Sequence, residues 1–216
     1  MSDDTAAPEV SFEAQVLAAR ARDLHARAGR RIVLGITGPP GAGKSTIAAG
    51  LLAELGDAAV IVPMDGFHFS NAVLRSLGRE SRKGAPDTFD VGGYVALLDR
   101  IRIPATEVIY GPSFDREIDE PIANDVAVAP DVQVVITEGN YLLTAVGGWH
   151  RVHPLLDQVW YVDVDPVLRR DRLTARHGAF GKDRLSAEKW ANGPDEANAI
   201  IVTGSRAEAD LIVRVS

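Results

Sequence analysis

No cysteine occurs among the 216 residues, which excludes disulfides and thiolate metal centres outright. No apolar run approaches the length of a membrane span, so nothing reads as a transmembrane helix. The opening residues Met1-Ser2-Asp3-Asp4-Thr5 lack the basic and apolar regions of a signal peptide, and the expectation is a cytoplasmic protein. Positive charge is also scarce. With 23 Lys and Arg against 30 Asp and Glu, the formal charge is −7, which argues against nucleic-acid or anionic-membrane partners. Any anion site must therefore be local. The length fits one domain able to bury a sizeable core, and the composition is that of an ordinary soluble globular chain.

Against that background stands Gly38-Pro39-Pro40-Gly41-Ala42-Gly43-Lys44-Ser45, a full match to G-x-x-x-x-G-K-[ST]. Arg31 to Thr37 before it reads as a buried strand, and Ser45 to Leu55 after it is Ala/Leu-rich with helical spacing. Strand, glycine loop and helix together make a phosphate-binding loop. Gly38, Gly41 and Gly43 permit backbone angles closed to other residues, so consecutive N–H groups can turn inward around a phosphate. The following helix adds unsatisfied N–H groups and its positive dipole end. Lys44 brings a mobile charge to the β- and γ-phosphates, and the Ser45 hydroxyl can ligate Mg2+. Gly38 through Ser45 together with Thr46 form the expected ATP site.

The rest of the chain alternates strands with helices, which predicts an α/β fold with a parallel sheet covered on both faces. Residues 1–9 read as disordered and Ser11 to Ala28 as an amphipathic packing helix ending at Gly29. The expected division is an N-terminal tail and helix over 1–29 and a single phosphate-loop domain over 30–216. Strands are expected at 58–64, 107–110, 132–137, 159–164 and 209–215. Helices are expected at 94–102, from 166 to about 175, and at 188–203, with a charged loop over 111–125.

Three further features carry chemistry. Asp65 directly follows the strand Ile61-Val62-Pro63-Met64, and C-terminal strand ends of an open parallel sheet face the ligand crevice. A carboxylate there can take a proton from a substrate hydroxyl or hold water on Mg2+. Glu138 ends the apolar strand Val134 to Thr137 and can orient the metal opposite Ser45. Arg169, Arg170, Arg172 and Arg176 follow Asp165-Pro166 on a helix, a source of cations for charge developing on a transferring phosphoryl group. Residues 169, 172 and 176 share one stripe, and Arg169 with one of Arg172 or Arg176 is the expected pair of phosphate contacts. His68, Asp115 and Arg116 are the expected acceptor contacts. The basic group Arg75, Arg79, Arg82 and Lys83 hints at an anionic acceptor. His150 and His153 lack a third ligand at metal spacing.

Phosphate loop, Met64-Asp65-Gly66-Phe67-His68-Phe69, Pro86-Asp87-Thr88-Phe89-Asp90 and Thr137-Glu138-Gly139-Asn140-Tyr141-Leu142-Leu143 resemble the phosphoribulokinase/uridine kinase family, and most closely its nucleoside kinase-like or fructose transport system kinase-like bacterial branch. The resemblance runs over roughly residues 30–215. It implies a P-loop NTPase fold, a three-layer α/β/α sandwich with a five-stranded parallel core and an arginine-rich lid at about 166–185. It further implies that Asp65 is the catalytic base and that Glu138 organises the metal. Tyr110 to Glu117 keeps an aromatic, an aspartate and an arginine, but not the family's base-and-ribose arrangement.

The expected activity is therefore γ-phosphoryl transfer from ATP to a hydroxyl of a small metabolite such as a sugar, a nucleoside or a pantothenate-like compound. Lys44, Asp65, Arg169 and Arg172 are the expected catalytic residues, and Ser45, Glu138 and Asp65 the metal-organising ones. The partner is a small acceptor molecule, with a homodimer left open. A competing reading is an NTP-hydrolysing switch acting through a protein partner. Asn-Lys-x-Asp and Leu-Ser-Gly-Gly signatures are both absent from the sequence, which disfavours it.

Overall fold

A computed structural model describes residues 7–181 and 183–215. The expectation of disorder over 1–9 lies outside the described residues as far as residue 6. The chain runs through β1 (Glu9–Ser11), α1 (Ala14–Ala28), β2 (Ile32–Thr37), α2 (Lys44–Leu55), β3 (Ala59–Pro63), α3 (Asn71–Ser76) and α4 (Val91–Arg102). It continues through β4 (Ile109–Asp115), β5 (Glu120–Val128), β6 (Val134–Gly139), β7 (Gln158–Val164), α5 (Pro166–Ala179), α6 (Arg184–Asn192), α7 (Pro194–Thr203) and β8 (Leu211–Val215). One parallel sheet has the order β1-β8-β7-β2-β6-β3, and β4 with β5 forms a separate antiparallel pair.

The central strands β2 and β6 are buried at every position, as strands covered on both faces must be. Alternation sorts their side chains. Ile32, Leu34 and Ile36 join Leu17, Ile47 and Leu51 of α1 and α2 in one apolar layer. Val33 faces the other way, into a layer with Tyr94, Leu97 and Trp149. The result is the three-layer α/β/α P-loop architecture.

The sheet has six strands rather than five. The additional strand is β1, whose Val10 pairs in register with Val213 of β8 and whose Glu9 is held by Arg206 and Arg214. Residues 9–11 are too short and polar to read as a strand alone; pairing to β8 orders them. Since α1 also contributes Leu17, Ala18 and Ala21 to the core, residues 7–29 are integral to the same unit as the rest. Two more differences concern local breaks. Residues 111–125 are a hairpin rather than a loop, with a register shift between Gly111 and Ser113 and left-handed backbone at Asp119 and Asn124. The helix expected at 188–203 is two helices, divided at Gly193-Pro194, because proline removes a donor and clashes with the preceding turn. No helix among the described residues is long and apolar enough to cross a membrane.

Candidate active site

The phosphate loop leaves β2 at Gly38 and enters α2 at Lys44. Its shape is enforced from behind by α5. Gly41 adopts φ 82°, and a Cβ there would lie 2.7 Å from both the Arg169 carbonyl and Leu173 Cγ, so only glycine fits. Lys44 is buried, and its Nζ donates to the carbonyls of Gly38 (3.0 Å) and Pro39 (3.2 Å) and to Asn140 Oδ1 (2.7 Å). Burial disfavours the ammonium and lowers its pKa to about 8, against the opposing pull of Glu138 and Asp65.

The parallel register brings the two strand-end carboxylates together. Pro63 of β3 pairs with Glu138 of β6, so Asp65, two residues on, opens onto the same crevice. Gly139 makes this approach possible, since a Cβ there would sit 2.5 Å from Met64 Cβ. Ser45 Oγ donates to Glu138 Oε1 at 3.0 Å. Glu138 is buried, and its carboxyl is pushed above the usual range by desolvation and then by the charge of Asp65, with Lys44 opposing. Thr37 at the end of β2 donates to the Gly139 carbonyl at 2.9 Å, locking the two strand ends level.

A cleft of about 790 Å3 runs over these residues, a volume that suits two small ligands side by side. Pro40, Lys44, Ser45, Asp65, Glu138 and Asn140 line one part; His68, Asn71, Lys83, Phe114 and Arg116 line another; Arg176, His177, Trp190 and Asn198 close it.

The arginine assignments change. Arg169 is buried, donates to the Pro40 carbonyl at 3.3 Å and pairs with Glu196. It braces the loop from beneath and does not line the cleft. Arg172 has Nη1 3.9 Å from where a Gly43 Cβ would be, and it too is not among the residues lining the cleft. Arg176, one turn further along α5, lines the cleft. Its guanidinium pKa is lowered by burial and then by neighbouring Arg116.

His68 and Arg116 lie where an acceptor contact is expected. Arg116 pairs with Asp65 at 3.1 Å. The Asp65 carbonyl accepts from His68 Nδ1 at 2.8 Å, and burial lowers the imidazole pKa, which favours the neutral ring. Asp115 is elsewhere: its Oδ1 accepts from the backbone N–H of Glu117 at 2.8 Å and so shapes the hairpin turn. Of the three tryptophans, Trp149 and Trp160 are core and Trp190 lines the cleft.

Asn140 and Lys83 complete the site. Asn140 follows Glu138-Gly139 and holds Lys44; the sequence marked it only as part of the Thr137 to Leu143 stretch that carries the family resemblance. Gly84, beside Lys83, has a carbonyl that accepts from both Tyr141 Oη and Asn198 Nδ2.

Comparison with known proteins bears on the family and the fold. The chain is 34% identical over 162 residues to the uridine kinase-like protein C227.14 of Schizosaccharomyces pombe, covering 70% of this chain and 68% of that protein. It is 35% identical to the ATP-dependent kinase-like protein notR' of Aspergillus versicolor, covering 66% of this chain and 88% of that one. The chain belongs to the uridine kinase-like family of P-loop kinases. A crystal structure from Silicibacter sp. TM1040, described as that of a candidate fructose transport system kinase, superposes with a TM-score of 0.84 at 34% identity, covering 94% of this chain and 99% of that one. A family profile for the methylmalonyl-CoA mutase-associated GTPase MeaB matches residues 4–65, the segment that ends with the phosphate loop, α2 and β3.

Proposed function

We propose that the protein transfers the γ-phosphoryl group of ATP to a hydroxyl of a small metabolite, with Asp65 as the base. The observation that carries this reading is the pairing of two carboxylates at adjacent strand ends, Asp65 and Glu138, in one cleft with Lys44 and Ser45. One carboxylate is tied to the metal-side hydroxyl and the other is left to face the acceptor half. A nucleotide switch needs only the first.

Ser45 and Glu138 offer one hydroxyl and one carboxylate to a cation, a donor set suited to Mg2+ that takes its remaining ligands from phosphates and water. Bound there, Mg2+ would neutralise charge on the β- and γ-phosphates. The loop N–H groups and Lys44 hold the phosphates in place, and Arg176 supplies a cation from the opposite wall. Asp65 orients the acceptor hydroxyl in line and takes its proton. Arg169 acts through the loop as a positioning residue rather than at the phosphates.

The test is Asp65→Asn. ATP binding should persist while transfer falls by roughly 10²- to 10⁴-fold, the range for loss of a general base. Undiminished turnover would remove Asp65 from the mechanism. A second reading, an NTP-hydrolysing switch, draws on the GTPase match over residues 4–65. ADP release separates the two, because a kinase needs an acceptor and a switch does not.

A further inference from the structure

Two consecutive carboxylates on the first turn of α7, Asp195 and Glu196, both reach α5. Glu196 pairs with Arg169, and that arginine lies beneath the phosphate loop, off the cleft wall. Asp195 instead accepts from His177 Nε2 at 2.7 Å, and the two side chains are only 11% and 16% exposed. Trp190 of α6 flanks the imidazole, with the ring centroids 6.4 Å apart. His177, Asp195, Trp190 and Arg176 all line the cleft.

Arg176 immediately precedes His177, and among the described residues it forms no ion pair. A guanidinium in a partly desolvated wall ordinarily takes a carboxylate. Burial and then Arg116 disfavour its charge, and the carboxylates that support it are Asp195, then Asp65 and Glu138. Each of these three is engaged with another group: Asp195 with His177, Asp65 with Arg116 and Glu138 with Ser45. Deprived of His177, Asp195 would be a buried carboxylate with its donor gone, in a wall that also holds an unpaired cation. Pairing the two would remove both costs at once. Glu196, one residue on, shows the consequence for an arginine of α5: once paired, Arg169 has no face on the cleft.

We infer that His177 is a positioning residue: by occupying Asp195 it keeps Arg176 out of an ion pair and leaves that guanidinium free to meet the γ-phosphate of ATP. His177 does this through Asp195, with no contact of its own to the nucleotide. The inference rests on the place given to Arg176 in the kinase reading above.

The experiment needs nucleotide alone and no acceptor. The Kd values of ATP and of ADP, each with Mg2+, are measured by calorimetry on the full chain, and their ratio isolates contacts to the γ-phosphate. Arg176→Ala sets the floor of that ratio. His177→Ala should lower the preference for ATP about tenfold, the loss of one charge-assisted hydrogen bond, toward the same floor. His177→Met fills the space without a donor, and the same loss is expected of it should the alanine variant melt early. His177→Gln still presents an amide N–H to Asp195 and should recover most of the preference. The decisive variant is His177→Ala with Asp195→Asn, which should also recover it, because asparagine offers no charge to capture Arg176. A double variant no better than His177→Ala would give His177 a merely structural role and overturn the inference. A wild-type ratio in His177→Ala and His177→Met, with Arg176→Ala at the floor, overturns it as well and leaves the kinase reading standing. An unchanged ratio in Arg176→Ala removes Arg176 from the γ-phosphate, and that part of the kinase reading fails together with this inference.

Discussion

Arg116, on the turn of the β4–β5 hairpin, sets a guanidinium nitrogen 3.1 Å from Oδ2 of Asp65 at the end of β3. The pair ties a hairpin outside the main sheet to the proposed base. Both partners remain partly exposed, 41% and 25%, so the pair is worth at most about 1 kcal/mol of stability. Its value must lie in position. Arg116→Ala should therefore move the melting temperature little, and raise the acceptor KM about tenfold, the loss of one charge-assisted contact. The Kd for ATP should hold. A variant that melts far below the wild type, or that loses ATP binding instead, would assign Arg116 a structural role.

Two arginines about two turns apart on α5 should separate cleanly. Arg169 is buried against Pro40 and Glu196, so Arg169→Ala leaves a cavity and releases the back of the phosphate loop. With Glu196 still about one-third exposed, the expected loss is discounted to roughly 2 kcal/mol, or about 4–8 °C in melting temperature. ATP affinity should weaken with it. Arg176→Ala should leave melting nearly unchanged and lower kcat by about 10³-fold, the low end for loss of a cation from a transferring phosphoryl group. Paired measurements of melting and single-turnover rate decide it. Equal effects of the two changes on kcat would contradict the distinction.

How far the sequence could show this follows from where each signal resides. The phosphate loop, Asp65 and Glu138 are legible because each sits at the end of an apolar run, and strand ends are fixed by local pattern. Which lid arginine faces the cleft is not local. Positions 169 and 176 lie on one stripe of α5, and only the packing of Leu173 and the Arg169 carbonyl over Gly41 turns the first toward the loop and the second toward the ligand. Asn140 carries no periodic signal and acquires its role by meeting Lys44 across 96 positions of sequence. The hairpin escaped because Pro112, the register shift beside it and two left-handed residues interrupt the alternation expected of strands. β1 escaped because three residues have no period, and tertiary pairing to β8 overrides their composition.

Lys44 sets a pH dependence. Burial brings its pKa down to about 8, so the charged fraction in the free protein falls as pH rises through that value. Since the cation is what meets the phosphates, kcat/KM for ATP should be level below pH 7 and decline above pH 8, with a basic limb near 8. Bound phosphates favour the ammonium, so in kcat at saturating ATP the same limb should move upward. Lys44→Arg should remove the limb from the accessible range whatever activity it retains, because guanidinium stays charged. A limb that persists unchanged in that variant belongs to another group.

Glu138 should govern the metal rather than the acceptor. Its Oε1 accepts from Ser45 Oγ at 3.0 Å, which aims the hydroxyl oxygen and places a negative charge beside any cation that oxygen would bind. Chelation of Mg2+ should abolish transfer in the wild type, with ATP binding weakened. Glu138→Gln keeps the shape and an acceptor oxygen but removes the charge, so the Mg2+ concentration for half-maximal activity should rise about 10- to 100-fold, the range for neutralising a carboxylate that holds a metal or orients its ligand. The acceptor KM should stay put, which separates Glu138 from Asp65. Acidification should mimic the substitution. Burial and the charge of Asp65 push the Glu138 carboxyl above its ordinary range, so the folded protein takes up this proton at a higher pH than a free glutamate would. The Mg2+ requirement of the wild type should climb as pH falls through that raised value, and that of Glu138→Gln should not. Identical climbs in both proteins would show that the titrating group is the nucleotide and not Glu138.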